Sequence, residues 1–190
     1  MENCARSSSE LVHSEKWISL HKIYYKSHLN TTQIWESVER NTRHGEVDAV
    51  VIFAKLNYTD RTEVVLVKQY RPPLDKICIE LPADKGETVE QAALRELQEE
   101  TGFVGVVESV LPTMFSDPGI TSANMKMVVC NVDMSKPENQ IPVCNQEDSE
   151  CIETFTCSIK NLFNFLRDQE KNGFAVDSRL FALAFGYQLK

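Results

Sequence analysis

The sequence is short of positive charge, of paired cysteines and of long apolar runs, and each shortage excludes a class of protein. It carries 20 basic against 28 acidic residues, a formal net charge of -8, so we expect no nucleic-acid or membrane partner. None of its six cysteines forms a CxxC pair, which disfavours a zinc site or a disulfide scaffold. No apolar run is long enough to cross a bilayer, and the N-terminus has no signal-peptide core. We therefore expect a reduced protein in the cytoplasm, with the nucleus as an alternative compartment.

The 190 residues are 42% hydrophobic, which suits one domain with an N-terminal extension. Residues 1–15 are polar and serine-rich, and we expect them to form a loose tail. The rest alternates between strand-like segments and fewer helical ones, which is typical of a layered α/β domain. Strands are predicted at 17–25, 34–38, 49–56, 63–70, 77–81, 103–111, 125–132 and 152–157, and helices at 88–101, 159–170 and 178–187.

The predicted helix at 88–101 carries three glutamates on one face. Glu96, Glu99 and Glu100 lie at positions i, i+3 and i+4, so their carboxylates are neighbours and repel each other unless a cation lies among them. Hard oxygen ligands suit Mg²⁺ or Mn²⁺, which often bridge to substrate phosphates. A glutamate-rich face is also typical of a solvated helix. The three glutamates alone leave both interpretations open.

The residues around these glutamates resemble the Nudix box. Glu87 is followed after seven residues by Arg95-Glu96-Leu97-x-Glu99-Glu100-x-Gly102-Phe103, which is similar to the signature of nucleoside-diphosphate-linked hydrolases. The resemblance implies an α/β fold with a mixed β-sheet sandwiched between helices. It implies that Glu96 and Glu100 bind catalytic Mg²⁺, that Glu99 is a further ligand or an acid/base group, and that Glu87 and Arg95 form a structural ion pair.

The loop before the helix departs from the family pattern. Leu81 stands where the box has a glycine, and Pro82-Ala83-Asp84-Lys85-Gly86 is shorter than the matching loop of the ADP-sugar branch. Ala83 matches the residue whose backbone carbonyl binds metal in that branch. The shortening leaves a second hypothesis, a catalytically weak or inactive nucleotide-binding module, and a third, an interaction protein with a vestigial box.

Positions outside the box resemble the ADP-sugar pyrophosphatase branch from Trp17 to Tyr187. Trp17, Trp35 and Arg40 are similar to the residues that hold adenine there, and indole faces can stack on a purine. The two tryptophans would also suit ordinary packing positions. The resemblance implies an N-terminal antiparallel β extension at 1–46, used in dimerisation and adenine binding, and a Nudix domain at 47–190.

Three further positions match substrate or metal contacts of that branch. Arg71, in Lys68-Gln69-Tyr70-Arg71-Pro72-Pro73, resembles a phosphate-binding arginine, for which its forked donors are suited. Asp117, in Asp117-Pro118-Gly119, resembles a substrate contact, although this sequence is also a good turn. Glu150 matches a loop glutamate that binds metal or activates water, and an acidic surface loop is the competing explanation.

The resemblance implies Mg²⁺-dependent hydrolysis of the pyrophosphate of ADP-sugars, with ADP-ribose giving AMP and ribose 5-phosphate. Glu99 or Glu150 would accept the proton from water. Oxidised guanine nucleoside diphosphates are an additional substrate class in related members. The branch forms homodimers with exchanged N-terminal strands, so we expect a homodimer here.

Overall fold

The computed structural model describes residues 3–43, 45–84, 88–145 and 151–189, and the contacts within the chain group into two units. The first comprises Met1–Asp48 and Thr113–Met125, and the second comprises Ala49–Pro112 and Lys126–Lys190. Over the described ranges, no helix has the length and apolar character that a membrane span requires. The predicted boundary between residues 46 and 47 stays a prediction.

The first unit contains a three-stranded antiparallel sheet in the order β1-β2-β3. Its strands are β1 (Ala5–Ser14), β2 (Ile18–Lys26) and β3 (Thr32–Arg40). The predicted loose tail at residues 1–15 is therefore wrong, because β1 pairs with β2 along nearly its whole length. All residues of β1 are exposed, and its sequence shows no alternation of apolar and polar residues. The strand is held by its backbone hydrogen bonds to β2.

The first unit also contains the short strand β9 (Met114–Phe115), which pairs with Asn124 and Met125. The other strands and helices are β4 (Ala49–Asn57), β5 (Thr62–Arg71), β6 (Lys76–Glu80), β7 (Ala83–Asp84), β8 (Val106–Val110), β10 (Asn124–Asp133), β11 (Ile152–Ser158), β12 (Ala175–Val176), α1 (Val89–Thr101), α2 (Pro137–Gln140), α3 (Leu162–Lys171) and α4 (Ser178–Gln188).

The sheet of the second unit is mixed, as predicted. Its order is β12-β6-β5-β4-β10-β8, with β11 on β5 and β7 on β4. β12 runs parallel to β6, whereas β5 runs antiparallel to β4, β6 and β11. The central strands β4 and β5 have continuous buried runs at 50–54 and 64–67, as expected for strands that are covered on both faces.

Helices cover both faces of this sheet, and two neighbouring residues of β11 show it. The Thr154 hydroxyl donates to the carbonyl of Glu100 in α1, while the ring of Phe155 packs on Phe165 of α3 with centroids 5.7 Å apart. Because successive side chains of a strand point to opposite faces, α1 and α3 lie on opposite sides of β11. The predicted arrangement of a sheet between helices is confirmed.

Local sequence signals set the ends of α1. The Thr88 hydroxyl accepts from the backbone N–H of Gln91 and forms the N-cap, and Gly102 ends the helix with φ of +74°. Ala92, Ala93 and Leu97 are buried, and α1 packs against β4, β7, β8 and β11. Small alanines let the helix approach the sheet closely, and Glu96 and Glu100 are buried on the same side of the helix.

Candidate active site

Two of the three α1 glutamates are buried. Glu96 is 4% exposed and Glu100 is 5% exposed, whereas the Glu99 side chain is 42% exposed. Burial penalises a charged carboxylate unless nearby cations or donors compensate for lost water. A solvated helix surface, the competing interpretation of this face, does not describe Glu96 and Glu100.

Arg95 links two of these glutamates. Its Nη1 contacts a carboxylate oxygen of Glu96 and lies 2.6 Å from Oε2 of Glu99. The predicted ion pair between Arg95 and Glu87 involves a residue outside the described ranges. Within those ranges, Arg95 places positive charge between two members of the acidic face.

The last turn of α1 is held by two other segments of the chain. The four final carbonyls of a helix lack partners inside the helix, and here two successive ones receive donors from distant residues. The N–H of Asn145 donates to the carbonyl of Glu99 at 2.8 Å, and the hydroxyl of Thr154 donates to the carbonyl of Glu100 at 2.9 Å, while the C-cap residue Gly102 closes the helix on Gln98 at 2.8 Å. The turn that carries Glu99 and Glu100 is thereby fixed to the loop at 142–145 and to β11.

Gly102 permits this close approach. A Cβ atom at this position would lie 2.5 Å from the backbone nitrogen of Val143 and 2.8 Å from the carbonyl carbon of Pro142. The positive φ also favours glycine. The glycine of the box is therefore needed twice, for its backbone conformation and for contact with another chain segment.

Ala83, the predicted carbonyl ligand, lies in β7 beside the central strand. It pairs with Val51 of β4, and the preceding Pro82 carbonyl accepts from the N–H of Ile52 at 2.8 Å. α1 packs on both β4 and β7. The backbone of Ala83 is thus fixed in register with the strand on which the glutamate helix packs.

Arg71, the predicted phosphate residue, forms a two-pronged ion pair with Glu80. Its Nε donates to Oε1 at 2.6 Å and its Nη2 donates to Oε2 at 2.7 Å. The Glu80 side chain is 9% exposed and that of Arg71 is 44% exposed. Both line a cleft of about 380 Å³, together with Pro73, Leu74, Cys78, Val176, Asp177 and Ser178.

A second ion pair lies beside the first. Arg179 contacts the carboxylate of Asp177, which also caps α4 by accepting from the N–H groups of Arg179 and Leu180. Burial by itself raises the pKa of Asp177, but the hydrogen bond and charge of Arg179 outweigh it and leave the pKa lowered. Burial and the neighbouring Glu80 raise the pKa of Cys78 to about 12, which disfavours the reactive thiolate form.

In the first unit, Trp35 is attached to the loop that carries Asp117. Its indole N–H donates to the carbonyl of Gly119 at 2.8 Å, and its ring meets Tyr25 edge-on with centroids 6.5 Å apart. The N–H of Val38 donates to the carbonyl of Ile120 at 2.9 Å. Trp35 and the predicted Asp117 turn therefore belong to one connected structure.

Trp17 and Trp35 lie far apart along the sheet of one chain. Trp17 directly precedes Ile18, the register partner of Arg40, whereas Trp35 pairs with Ile23. Ile23 follows Trp17 by six positions, which is roughly 20 Å at the usual rise of a strand. Both indoles are exposed, at 60% and 49%. One chain does not place these two indoles on the two faces of one purine.

Asp48 anchors the other end of the same loop. This buried residue pairs with Arg43, and its Oδ2 accepts from the N–H of Asn124 at 2.9 Å. Burial by itself raises the pKa of Asp48, but Arg43, the Asn124 N–H and the charge of Arg40 outweigh it and leave the pKa lowered. Asp117 itself is exposed, and its backbone carbonyl accepts from Ile120 and Thr121, as in a turn.

Glu150, the remaining predicted site residue, lies outside the described ranges, as does the acidic stretch from residue 147. Within the part of the chain that the structure describes, no group of three or more histidine, cysteine, aspartate or glutamate side chains is arranged to hold a metal ion. The predicted site residues thus fall into two sets. Glu96, Glu99, Glu100, Ala83 and Arg71 belong to the second unit, and Trp17, Trp35, Arg40 and Asp117 belong to the first.

The sequence interpretation missed several residues that hold the predicted site residues in place. Glu80, Thr154 and Asn145 act through contacts with residues distant in the sequence. Asn139 is fully buried, and its side-chain amide bonds the backbone of Val104 just after α1 and the carbonyl of Asp133. Only Glu80 gave a signal, as a charged residue ending a run of apolar ones.

The fold and the box define a class of protein. Residues 45–176 match the NUDIX domain, which covers most of the chain. The protein belongs to the Nudix hydrolase family, whose members generally depend on a divalent metal.

The named relatives show which members of this family the chain resembles. The chain is 44% identical to the ADP-ribose pyrophosphatase of Saccharomyces cerevisiae, over 90% of this chain and 77% of that protein. It is 34% identical to the ADP-sugar pyrophosphatase of Mus musculus, over 97% and 86%. A crystal structure of an ADP compounds hydrolase has the same fold, with a TM-score of 0.67, 17% identity and coverage of 96% and 91%.

Proposed function

We propose that the protein hydrolyses the pyrophosphate bond of ADP-sugars, with ADP-ribose as the leading candidate substrate, from which AMP and ribose 5-phosphate are the products. The observation that carries this proposal is the pair of buried glutamates, Glu96 and Glu100, on a clamped helix turn. The two named pyrophosphatase relatives support it over a nucleotide-binding module without turnover. Oxidised guanine nucleoside diphosphates are a second substrate class to test.

The chemistry of the donor set fits Mg²⁺, with Mn²⁺ as an alternative. Glu96 and Glu100 supply hard carboxylate oxygens from nearly buried positions, and Ala83 has a backbone fixed in register beside α1. Small divalent cations prefer such oxygens. When bound, the cation neutralises pyrophosphate charge and acidifies the attacking water.

The chain's own residues bind and orient the substrate and accept a proton. Arg71 borders an open cleft with its guanidinium partly exposed, which suits donation to phosphate oxygens. Glu99 is the proton acceptor among the described residues, because it is partly exposed and adjacent to Glu100 on the helix. Glu150 is the competing proton acceptor and a further metal ligand.

Measuring AMP release tests the proposal. Purified protein with ADP-ribose and Mg²⁺ is compared with the variants Glu96→Gln and Glu100→Gln, and with Glu90→Gln as the matched control. Glu90 is an exposed glutamate in the first turn of the same helix. We expect activity in the wild type and in Glu90→Gln and its loss in the other two. Wild-type AMP release no greater than in Glu96→Gln would refute the hydrolase proposal.

The adenine site is proposed to form between two copies of the chain. Trp17 and Trp35 are too far apart along one sheet to stack on one base, so a second copy has to supply one of them. One face of this sheet also exposes Ile18, Leu20 and Ile34. An apolar face of this kind suits burial in a symmetric dimer.

Coexpressing two defective variants tests this arrangement. Trp17→Ala and Trp35→Ala subunits are each expected to bind ADP-ribose weakly, but a mixed dimer has one site with both tryptophans. We expect coexpression to restore about a quarter of the wild-type sites, as random pairing predicts. No recovery, or a light-scattering mass equal to one 21.6 kDa chain, would contradict a shared site.

A cytoplasmic or nuclear location remains part of the proposal, to be tested by microscopy of the tagged protein.

A further inference from the structure

Glu80 is not one of the predicted substrate-binding residues, but its carboxylate is the hydrogen-bond partner of Arg71. The two residues share two charge-assisted hydrogen bonds at 2.6 and 2.7 Å. Glu80 is buried at the end of β6, and Arg71 ends β5, the adjacent strand. A rigid carboxylate therefore faces a guanidinium that borders the cleft.

The geometry of the pair leaves donors available on the guanidinium. A guanidinium has five N–H groups, and Glu80 accepts one from Nε and one from Nη2. The remaining hydrogens, on Nη1 and on the other side of Nη2, point away from Glu80 because the fork is planar. The half-exposed arginine thus presents a fixed edge rather than a freely rotating charge.

Neighbouring residues keep Glu80 and Arg71 in place. Pro72 and Pro73 follow Arg71 directly in a short 3-10 turn, which restricts the backbone. Glu80 and Asp177 both raise the pKa of Arg71, Glu80 most strongly, by its hydrogen bond. These four side chains form a cluster of alternating charge, in which Arg71 pairs with Glu80 and Arg179 pairs with Asp177.

We propose that Glu80 is a positioning residue, which orients Arg71 so that its remaining N–H groups meet the substrate phosphates. This inference rests on the proposed function, because it requires Arg71 to bind phosphate. Glu80 contributes no contact of its own to the substrate. Its loss leaves the positive charge of Arg71 in place but releases the orientation of the guanidinium.

A double-mutant cycle with ADP-ribose hydrolysis separates this role from ordinary stabilisation. Glu80→Gln, Arg71→Ala and the double variant are compared with the wild type in kcat, KM and Tm. Misorientation of a substrate-binding group costs up to about 100-fold in rate, so we expect Glu80→Gln to lower kcat/KM by about 10- to 100-fold. In the Arg71→Ala background the same change is expected to have no further effect on kcat/KM.

Glu63→Gln is the matched control. Glu63 accepts from Nε of Arg61 at 2.8 Å and lies near the start of the strand that Arg71 ends, so it forms a comparable pair away from the cleft. We expect Glu63→Gln to leave kcat and KM unchanged. Should Glu80→Gln fail to fold, Glu80→Asp keeps the charge but shortens the side chain by one methylene group, and it is expected to lower kcat/KM in the same direction.

Three outcomes would overturn the inference. A lower Tm with unchanged kinetics would make the pair purely structural. An equal loss of kcat/KM from Glu80→Gln in both Arg71 backgrounds would show that Glu80 acts independently of Arg71. Unchanged kinetics in Arg71→Ala would remove the phosphate role of Arg71 itself, and that result is distinguishable because it appears without any change at Glu80.

Discussion

Replacing Gly102 with alanine tests how closely the loop at 142–145 is held against the end of α1. A Cβ atom at this position would lie 2.5 Å from the nitrogen and 2.7 Å from the carbonyl carbon of Val143. Ordinary contacts between heavy atoms begin near 3.5 Å, so the loop must retreat by roughly 1 Å. These are backbone atoms, and no side-chain rotation relieves the overlap.

The cost has two parts. A non-glycine residue at positive φ costs about 1 kcal/mol, and overpacking against backbone costs about 1–3 kcal/mol. Retreat of the loop also weakens the hydrogen bond from the N–H of Asn145 to the Glu99 carbonyl. We expect Gly102→Ala to lower the free energy of unfolding by about 2–4 kcal/mol.

Gly173→Ala is the matched control. Gly173 also has a positive φ, +93°, but a Cβ atom there would meet nothing within 4 Å. Both substitutions restrict the unfolded chain to the same extent, a gain of about 0.4–1 kcal/mol that cancels between them. The difference between the two variants therefore measures the overlap with the loop, together with any weakening of the Asn145 hydrogen bond.

Thermal unfolding followed by calorimetry provides the comparison. For a chain of this size, about 1 kcal/mol shifts Tm by about 2–4 °C. Because the cost of positive φ cancels, about 1–3 kcal/mol of overlap remains, and we expect Tm of Gly102→Ala to fall about 2–12 °C below that of Gly173→Ala. Equal Tm values for the two variants would refute the reasoning, because the loop would then have room for the added methyl group.

Four further predictions follow from the other contacts. Asn139→Asp places a charge at a fully buried position facing two backbone carbonyls, and we expect urea unfolding to show a loss of about 3 kcal/mol. Asp177 has a lowered pKa, so its stabilisation is present above its ordinary pKa of about 4 and disappears as pH falls through the lowered value. The stability gap between wild type and Asp177→Asn, measured across pH, should therefore close in acid, and a constant gap would contradict this. Mg²⁺ at 100 times its Kd is expected to stabilise the wild type by about 2.7 kcal/mol, which a rise in Tm would show. The Glu100→Gln variant is expected to show no such rise. Trp35→Ala is expected to raise KM for ADP-ribose about 5- to 150-fold with little change in kcat, since stacking contributes about 1–3 kcal/mol per base, and an unchanged KM would exclude adenine stacking.

The sequence predicted the strands of the second unit because burial on both faces leaves a visible pattern. The runs at 50–54 and 64–67 are continuously buried, and the expected strands differ from β4 and β5 by one residue at most ends. β1 was missed for the opposite reason. Its side chains are exposed throughout, so nothing in its own sequence records the pairing that β2 provides.

The candidate site also combines residues that the sequence reveals with residues that it does not. Spacing along one helix identified Glu96 and Glu100, because residues four apart share a face by helix geometry alone. The residues that hold this helix turn are not encoded locally. Thr154 meets Glu100 across 54 positions of sequence, and Asn145 reaches Glu99 from a loop whose path depends on the whole fold. A single sequence without its fold does not reveal such contacts.

The shortened loop before α1 is the feature that most directly bears on activity, and the register of β7 restricts what the shortening can change. Leu81 is buried, the Pro82 carbonyl accepts from Ile52, and Ala83 pairs with Val51. A slip of one residue would turn Leu81 away from the core, so this register is strongly specified. The backbone of Ala83 is therefore held beside α1. Because this register holds the backbone that we propose to bind metal, we expect the shortened loop to alter contacts to the substrate rather than the metal site.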